Sequence, residues 1–492
     1  VVPVVLSARS EVALRAQAAR LGEYLAGCSD VSVVDVGLSS VVSRAQLECR
    51  AVVVAGEREG LLSGLGAVVS GEPLEGVVSG RVVAGGPVLV FPGQGAQWAG
   101  MAVELCASSS VFAGLLGECE AALEPFVGWR LLDVLRGVEG APGLERVDVV
   151  QPALWGVMVS LAGLWRACGV VPSAVVGHSQ GEIAAACVAG GLSLVDGARV
   201  VALRSRIVLE RLAGLGGMVS VGLSVGLVEE LLVPFGDRVS VAAVNGPGSV
   251  VVAGESGALD EVVGLCERDG VWVRRVNVDY ASHSVQVESV EDELVRVLAE
   301  VEPVGGEVPF YSTVVGGFVD TASLDAGYWY RNLRGCVGFE SAVRDLVGQG
   351  VGCFLEMSPH PVLGMAVEET VAGCGVDGVG VVGSLRRDDG GWGRFVTSLA
   401  EAYVAGVGVD WSAFYAGTGA RRVSLPTYAF QRQRFWLESG VGSGVPAGQR
   451  SVGHGVLSAA VRIGDRDEWV FTGRISQDSQ PWTRDHIVFD TV

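Results

Sequence analysis

The sequence contains no lysine, so all 35 of its basic residues are arginine. Schiff-base and pyridoxal chemistry need a lysine amine, and a phosphate-binding P-loop needs one as well, so these mechanisms are excluded. Positive charge is also scarce, because 55 acidic residues give a net charge of −20. A surface of that sign repels a phosphate backbone, which argues against a nucleic-acid partner.

Closely spaced cysteines are also missing, since the ten cysteines are scattered and form no C-x-x-C pair. The spacing that metal ligands show is therefore absent, and neither a metal site nor a bound cofactor is predicted. Unpaired cysteines are typical of a reducing compartment, so we expect a cytoplasmic protein.

Long apolar runs are rare despite a hydrophobic content of 49%. The run from Pro152 to Trp165 stops at Arg166, which makes it too short for a membrane span. We predict a buried helix there and no membrane contact. The chain begins at Val1 without a methionine or a basic leader, so we expect a piece of a longer polypeptide.

Short apolar strands that alternate with helices predict an α/β fold. We expect an N-terminal α/β linker domain over 1–84, followed by an α/β-hydrolase-like large subdomain. The order strand, helix, strand, strand, helix, strand between 218 and 280 predicts an inserted ferredoxin-like small subdomain. The larger pattern resumes at 308–312 and 353–357.

The C-terminal part of the sequence is less regular. Residues 384–437 are basic and aromatic and are expected to run along the surface. The stretch GVGSGVPAGQ predicts a flexible linker. The residues that follow include a strand-like segment, Trp469–Thr472, but are too few to form a domain alone.

Gly177-His178-Ser179-Gln180-Gly181 matches the G-x-S-x-G pattern. An apolar strand, PSAVV, leads into the pattern and a helix-forming run, EIAAACVAG, follows it. This strand–turn–helix context is the one that a nucleophile elbow requires. We predict that Ser179 is a nucleophile and that the backbone N–H of Gln180 is an oxyanion donor.

A serine nucleophile needs a base, and only five histidines are available. His178 precedes the nucleophile, so its side chain should diverge from Ser179, and His454 and His486 lie beyond the flexible linker. His283 and His360 remain open, and His283 is favoured because it stands where the chain re-enters the large subdomain. No acid is marked as a third member, so a backbone carbonyl is a plausible partner for the imidazole.

Two further residues are candidates for the same site. The loop Phe91-Pro92-Gly93-Gln94-Gly95 follows the first main strand and could lend the backbone N–H of Gln94 as a second oxyanion donor. Arg204 lies in an apolar part of the helix that begins after Ser193. A buried arginine implies an anionic partner, such as a carboxylate on the substrate. A bare turn and an ordinary surface arginine remain alternatives.

The motifs FPGQG, GHSQGEIAAA, ALRSR and YASH together resemble the acyltransferase domain of modular polyketide synthases, which is related to malonyl-CoA:acyl-carrier-protein transacylase. The resemblance implies that Ser179 is the nucleophile and His283 the base, and that Arg204 binds the free carboxylate of the extender unit. It also implies oxyanion donors at Gln94 and Gln180. A backbone carbonyl in a later loop would orient His283, and Asn332 is the candidate for that position.

The resemblance also implies partners and domain bounds. The substrate is an acyl-CoA, the acceptor is the phosphopantetheine thiol of an acyl carrier protein, and the ketosynthase and other domains of one synthase are neighbours. Residues 1–84 correspond to the linker between ketosynthase and acyltransferase, 85–383 to the acyltransferase, and 384–437 to the linker after it. Residues 438–492 resemble the start of a truncated dehydratase domain. Because Asp490 replaces the glycine that should follow His486, no dehydratase activity is expected.

The extender unit is predicted to be methylmalonyl. The residues that carry this prediction are Gln180, Tyr280, Ala281 and Ser282. Malonyl-selective relatives carry a bulkier HAFH motif, so the smaller YASH motif should leave room for an α-methyl group. A malonyl- or ethylmalonyl-selective acyltransferase, a serine thioesterase or hydrolase, and a non-catalytic interaction module remain as alternatives.

Overall fold

The computed structural model describes residues 1–432, 445, 448–477 and 480–485. The chain forms two compact units, Val1–Ala429 and Phe430–Val492. The larger unit contains every candidate of the predicted acyl-transfer site, whereas His486 and Asp490 lie outside the described residues.

The N-terminal region, residues 1–84, is an antiparallel sheet covered by helices. Its elements are β1 (Val2–Ala8), α1 (Glu11–Gly27), α2 (Val33–Val42), β2 (Cys49–Ala55), α3 (Arg58–Ser70) and β3 (Val77–Arg81). The strand order is β1-β2-β3. Alternate residues of β1 pack with apolar residues of α1 and α3 in one buried cluster, as the period of a half-buried strand requires.

The first half of the main body alternates strands and helices. Its elements are β4 (Pro87–Phe91), α4 (Val103–Ser108), α5 (Ser110–Leu123), α6 (Leu131–Arg136), α7 (Val147–Ala167), β5 (Ala174–Gly177), α8 (Gly181–Ala189) and α9 (Leu194–Ile207). A π-helical turn, Val208–Leu212, follows α9.

The inserted region has the predicted order of elements. It contains β6 (Gly217–Val221), α10 (Val225–Leu232), a 3-10 turn (Val233–Arg238), β7 (Val239–Gly246), β8 (Ser249–Gly254), α11 (Ser256–Arg268) and β9 (Val273–Arg275). The last strand, β9, is short, because only three residues pair with β6.

The second half of the main body returns to the large sheet. It contains α12 (Glu291–Val297), β10 (Phe310–Ser312), β11 (Gly317–Val319), α13 (Ala326–Arg334), β12 (Val337–Gly338), α14 (Phe339–Gly348), β13 (Cys353–Glu356), α15 (Gly364–Gly373), β14 (Gly380–Gly383), α16 (Trp392–Ala405) and α17 (Trp411–Phe414). Short 3-10 turns lie at Val285–Val290 and Thr321–Ser323.

The large sheet has the order β11-β10-β5-β4-β13-β14, and only β11 runs antiparallel to its neighbour. All five residues of β4 and all four of β5 are buried, as expected for central strands covered on both faces. The carboxyl ends of these two adjacent strands carry the loop 92–95 and the predicted elbow. Parallel sheets bind ligands at this edge.

The inserted sheet has the order β12-β7-β8-β6-β9. Its edge strand β12 comes from the large subdomain and pairs in parallel with β7 through Val337 and Gly338. The segment that follows α13 is therefore fixed to both subdomains.

The apolar run at Pro152–Trp165 belongs to α7, which is longer than the run because it begins at Val147. Its 21 residues are long and apolar enough to cross a membrane, but 89% of the most apolar window is buried inside the protein. Trp155 and Trp165 are completely buried. The prediction of a buried core helix is confirmed.

Helix α16, Trp392–Ala405, does not follow the surface, contrary to the expectation for 384–437. In α16, the side chains of Phe395, Leu399 and Tyr403 are buried in the main core, because they recur every four residues on one helix face. Further along, Arg44 Nη2 donates hydrogen bonds to the carbonyls of Leu425 and Pro426. The segment after α17 thus packs on the N-terminal region, and residues 433–437 lie outside the described part.

The C-terminal unit contains a small antiparallel sheet within its described residues. Its strands are β15 (Arg450–Ser451), β16 (Ala459–Arg462) and β17 (Trp469–Thr472), followed by a 3-10 turn at Pro481–Asp485. The predicted strand at Trp469–Thr472 is confirmed.

Candidate active site

The turn between β5 and α8 is a sharp, strained elbow. Ser179 has a φ of 53°, which lies in the left-handed region that few non-glycine residues adopt. A Cβ atom at Gly177 would collide with the backbone of Glu182, and one at Gly181 would collide with the carbonyl of Phe91. Both glycines are therefore required by close backbone approach, and they allow the serine to stand at the tip of the turn.

The loop 92–95 packs directly on this elbow. The backbone N–H of His178 donates to the Phe91 carbonyl at 2.8 Å, which continues the pairing of β4 with β5. Gln94 and Gln180 both line the cavity that contains Ser179. Gln180 is the N-cap of α8, so its backbone N–H lies at the positive end of that helix.

His283 is the residue that reaches the nucleophile. Its Nε2 atom lies 2.8 Å from Ser179 Oγ, and its Nδ1 atom lies 2.6 Å from the carbonyl oxygen of Gly335. Because a carbonyl only accepts, Nδ1 carries the proton and Nε2 is left free to accept from the serine. This is the arrangement of a serine–histidine dyad oriented by a backbone carbonyl.

The expectation that Asn332 orients His283 is wrong, because the carbonyl comes from Gly335, three residues later. Asn332 lies close by in another role. Its Nδ2 donates to the Ser179 carbonyl at 3.1 Å and to Glu182 Oε2 at 2.8 Å.

Burial controls the charge of the base. Desolvation is the main cause, and together with the positive charge of Arg204 it lowers the pKa of His283 to about 3. A neutral imidazole is the form that accepts a proton. His283 is therefore available as a base throughout the neutral pH range.

Arg204 is an unpaired cation inside the same cavity. Only 1% of its surface is exposed, and its Nε and Nη1 atoms have no hydrogen-bonding partner within the described part of the chain. Burial lowers its pKa to about 10, so the guanidinium is still charged at pH 7. A buried, unpaired cation is costly, and a carboxylate would satisfy its planar fork.

The cavity has a volume of about 230 Å³ and is formed by both subdomains. The large subdomain, with the segment that joins it to the insertion, supplies Ser179, His283 and Arg204. The inserted subdomain supplies Met218, Val251 and other apolar residues. The side chain of Gln180 also faces this space without a partner for its Oε1 and Nε2 atoms, as counted over the described residues.

Tyr280 joins a polar network at one wall. Its hydroxyl donates to Gln94 Oε1 at 2.5 Å, and Gln151 Nε2 donates to the same oxygen at 3.0 Å. Gln151 was not predicted as a site residue. The sequence does contain a sign of its role, because Gln151 is the one amide side chain within an apolar stretch of α7.

Of the two residues between Tyr280 and His283, only Ser282 lines the cavity. Ala281 instead packs against Ala242 and Ala253 of the inserted subdomain. Ala281, one of the predicted selectivity residues, therefore has no direct contact with the cavity.

The other histidines have different partners. His178 Nε2 lies 2.8 Å from Asn245 Oδ1, which confirms that its side chain diverges from Ser179. His360 Nδ1 accepts from the backbone N–H of Arg387 at 3.2 Å. Between the two histidines that the sequence left open, the geometry selects His283.

The described residues contain no group of three or more histidine, cysteine or acidic side chains that could hold a metal ion. All ten cysteines are free. What the cavity does bring together is a serine at a strained turn, a neutral imidazole and an unpaired cation.

Two family matches cover most of the larger unit. The family described as "Acyl transferase domain" matches residues 88–409, and the family described as "CurL-like, PKS C-terminal" matches residues 3–65. The first match covers more than half of the chain.

Similar proteins are large synthases. A spectinabilin polyketide synthase system protein of Streptomyces orinoci is 56% identical over the whole chain, and an erythronolide synthase of Saccharopolyspora erythraea is 49% identical over 99% of it. The chain spans only 14% of the length of each.

Solved structures agree with these matches. The acyltransferase domain from module 8 of the salinomycin polyketide synthase has a TM-score of 0.82 and 56% identity, over 84% of this chain and 97% of that domain. The domain from the second module of the same synthase has a TM-score of 0.71 and 38% identity, over 87% of this chain and all of that domain.

Proposed function

This chain belongs to the acyltransferase domains of modular polyketide synthases, and we propose that it transfers a methylmalonyl extender unit from coenzyme A to an acyl carrier protein. The observation that carries this proposal is the presence of Ser179, His283 and unpaired Arg204 in one cavity. A hydrolase would need the dyad but would have no use for the cation.

The first half-reaction forms an acyl-enzyme. Ser179 Oγ attacks the thioester carbonyl carbon while His283 Nε2 takes the hydroxyl proton. The backbone N–H groups of Gln94 and Gln180 stabilise the oxyanion of the tetrahedral intermediate. As the intermediate collapses, the C–S bond breaks and His283 returns the proton to the departing thiolate of coenzyme A.

The second half-reaction runs the same steps with another thiol. The phosphopantetheine thiol of the carrier protein gives its proton to His283 and attacks the ester carbonyl. Ser179 Oγ then leaves and regains the proton. Because coenzyme A leaves the acyl-enzyme before the carrier-protein thiol attacks, the order is ping-pong.

Arg204 binds the free carboxylate of the extender unit. Its Nε and Nη1 atoms have no partner among the described residues, so its planar guanidinium is available to a carboxylate, and the low local dielectric strengthens the pair. The bound carboxylate fixes the thioester relative to Ser179, which is how positioning lowers the barrier.

The selectivity for methylmalonyl rests on space and on a fixed wall. Ser282 is small and lines the cavity, whereas Tyr280 is held by its hydrogen bond to Gln94. Gln180 adds an adaptable amide to the same space. A single methyl group is worth about 1–3 kcal/mol, so this discrimination has a natural limit.

The domain assignment is part of the proposal. Residues 1–84 act as the linker that follows a ketosynthase, 85–383 as the acyltransferase, 384–437 as its trailing linker and 438–492 as the start of a dehydratase-like domain. The match over 88–409 favours moving the second boundary beyond α16. The other domains of one synthase are the proposed neighbours.

The fold labels are proposed with the domains. The ferredoxin-like label is supported by the strand order of the inserted antiparallel sheet. If β6 to β9 are counted as strands 1 to 4, their order along the sheet is 2-3-1-4. The hydrolase-like label is supported by the elbow after a central parallel strand.

Single-turnover labelling tests the function. The protein is mixed with methylmalonyl-CoA, quenched, digested and mapped by mass spectrometry, with Ser179→Ala as the control. We expect an adduct on the Ser179 peptide that moves to an added carrier protein faster than it is hydrolysed. No adduct, or hydrolysis that outpaces transfer, would contradict the proposal.

A further inference from the structure

A completely buried carboxylate lies behind the elbow, away from the residues that line the cavity. Glu182, in the first turn of α8, accepts four hydrogen bonds. Thr313 donates its N–H and its hydroxyl to Oε1, both at 2.7 Å. The Tyr328 hydroxyl and Asn332 Nδ2 donate to Oε2 at 2.6 and 2.8 Å. Burying a carboxylate is costly even with four donors, so its position calls for an explanation.

The Asn332 amide connects this carboxylate to the nucleophile. One hydrogen-bond contact of Nδ2 is to Glu182 and the other is to the backbone carbonyl of Ser179 at 3.1 Å. Because both partners only accept, the NH2 group of the amide must face the elbow. Glu182 therefore fixes which end of the amide meets Ser179.

Two of the three residues after Asn332 hold the base. The Leu333 carbonyl accepts from the His283 backbone N–H at 2.9 Å, and the Gly335 carbonyl accepts from His283 Nδ1 at 2.6 Å. The segment 332–335 thus contacts both members of the dyad.

The backbone conformations of both dyad residues also need support from their surroundings. Ser179 and His283 have φ values of 53° and 61°, and residues in the left-handed region keep that conformation only where the surroundings enforce it. Hydrogen bonds from one short segment reach both of them.

We propose that Glu182 is a positioning residue for the dyad. Its carboxylate joins α8, which carries the nucleophile at its start, to the end of α13, whose following carbonyls orient the base. The inference rests on the proposed function, because the geometry that it protects is that of Ser179 and His283.

The chemistry of the network explains why a carboxylate is needed. Burial raises the pKa of Glu182, and the donors Tyr328, Thr313 and Asn332 oppose that rise. All four hydrogen bonds suit an acceptor-only group. The side-chain nitrogen of a glutamine donates and cannot accept. In Glu182→Gln this nitrogen therefore faces groups that donate to the carboxylate in the wild type, and those hydrogen bonds are lost.

The test compares two tyrosine variants and the glutamine variant. Tyr328→Phe removes one donor to Glu182, and Tyr311→Phe is the matched control. Tyr311 is also buried, and its hydroxyl donates to a different carboxylate, Asp345 Oδ2, at 2.6 Å. Thermal unfolding is recorded for each variant so that lost stability is separated from lost positioning.

Two rates are measured on the full chain under single-turnover conditions. One is acylation by methylmalonyl-CoA, and the other is phosphonylation of Ser179 by a small fluorophosphonate, which does not need Arg204. We expect Glu182→Gln to slow both by about 10- to 100-fold, because small displacements of reacting groups have effects of that size. KM for methylmalonyl-CoA should stay near the wild-type value, since the cavity wall is unchanged.

Tyr328→Phe should slow both rates to a smaller extent, and Tyr311→Phe should leave them unchanged at a similar loss of unfolding temperature. Wild-type rates in Glu182→Gln and Tyr328→Phe would overturn the inference. If Glu182→Gln does not fold, the comparison of Tyr328→Phe with Tyr311→Phe still tests the inference.

The proposed function can fail separately. A wild-type protein that reacts with the fluorophosphonate but not with any acyl-CoA would refute the proposed function, and the fluorophosphonate rates would still test Glu182.

Discussion

His283 Nε2 lies 2.8 Å from Ser179 Oγ, although 104 positions separate the two residues in the chain. The entire inserted subdomain lies between them. His283 comes directly after the insertion, so the return of the chain to the large sheet delivers the base to the elbow. The insertion also supplies part of the cavity wall, which couples the choice of substrate to the placement of the base.

The pH dependence of acylation should be unusual for a histidine base. Because burial and Arg204 lower the pKa of His283 to about 3, the acylation rate should stay on its plateau well below pH 6.5. Arg204→Ala removes the second-largest of the causes that lower this pKa, so the acid limb of the variant should move up in pH. Pre-steady-state acylation between pH 4 and 8 should be nearly flat for the wild type, and a wild-type limb near 6.5 would contradict the assignment.

The same shift makes a prediction about stability. Between about pH 3 and 6.5 the unfolded chain binds a proton on His283 that the folded chain does not. Stability from this residue is therefore complete above pH 6.5 and is lost as the pH falls toward 3. Urea unfolding of the wild type and His283→Gln across this range should show a smaller acid loss in the variant.

The elbow glycine Gly181 should not tolerate a side chain. An alanine there collides with the Phe91 carbonyl, so we expect Gly181→Ala to lower the free energy of unfolding by about 1–3 kcal/mol or more. Gly114 in α5 is the control, since a Cβ atom there meets nothing within 4 Å. Gly114→Ala should raise stability by about 0.5–1 kcal/mol, and equal losses in both variants would refute the steric argument.

Much of this site could be predicted from the sequence. The elbow has a local pattern, strand, turn and helix, and five histidines left few choices for a base. The carbonyl of Gly335 could not be found in this way, because every residue has a carbonyl and only the fold decides which one meets His283.

The sequence did not reveal the orientation of Ala281 or the burial of α16, for two different reasons. Neighbouring side chains in an irregular segment diverge in directions that only the backbone defines, so Ala281 and Ser282 could not be separated. In contrast, the four-residue spacing of Phe395, Leu399 and Tyr403 was visible and would have predicted the buried helix.

The extender-unit selectivity should depend on Ser282. Replacing it by phenylalanine fills the space proposed for the α-methyl group, so Ser282→Phe should lower the ratio of kcat/KM for methylmalonyl-CoA over malonyl-CoA. The expected change is about 10- to 200-fold, the range that one methyl group supports. Both values falling together, with the ratio unchanged, would show that Ser282 does not read the methyl group.

The most direct test of the central claim is intact-protein mass spectrometry after competition between methylmalonyl-, malonyl- and propionyl-CoA. The wild type should carry mainly a methylmalonyl adduct that is absent from Ser179→Ala. Arg204→Ala should lose carboxylated adducts by about 200- to 4,000-fold, since breaking a buried pair costs about 3–5 kcal/mol. It should also lose the preference over propionyl-CoA, which has no carboxylate. A wild type that takes propionyl as readily as methylmalonyl, or an Arg204→Ala variant with unchanged preference, would contradict the account.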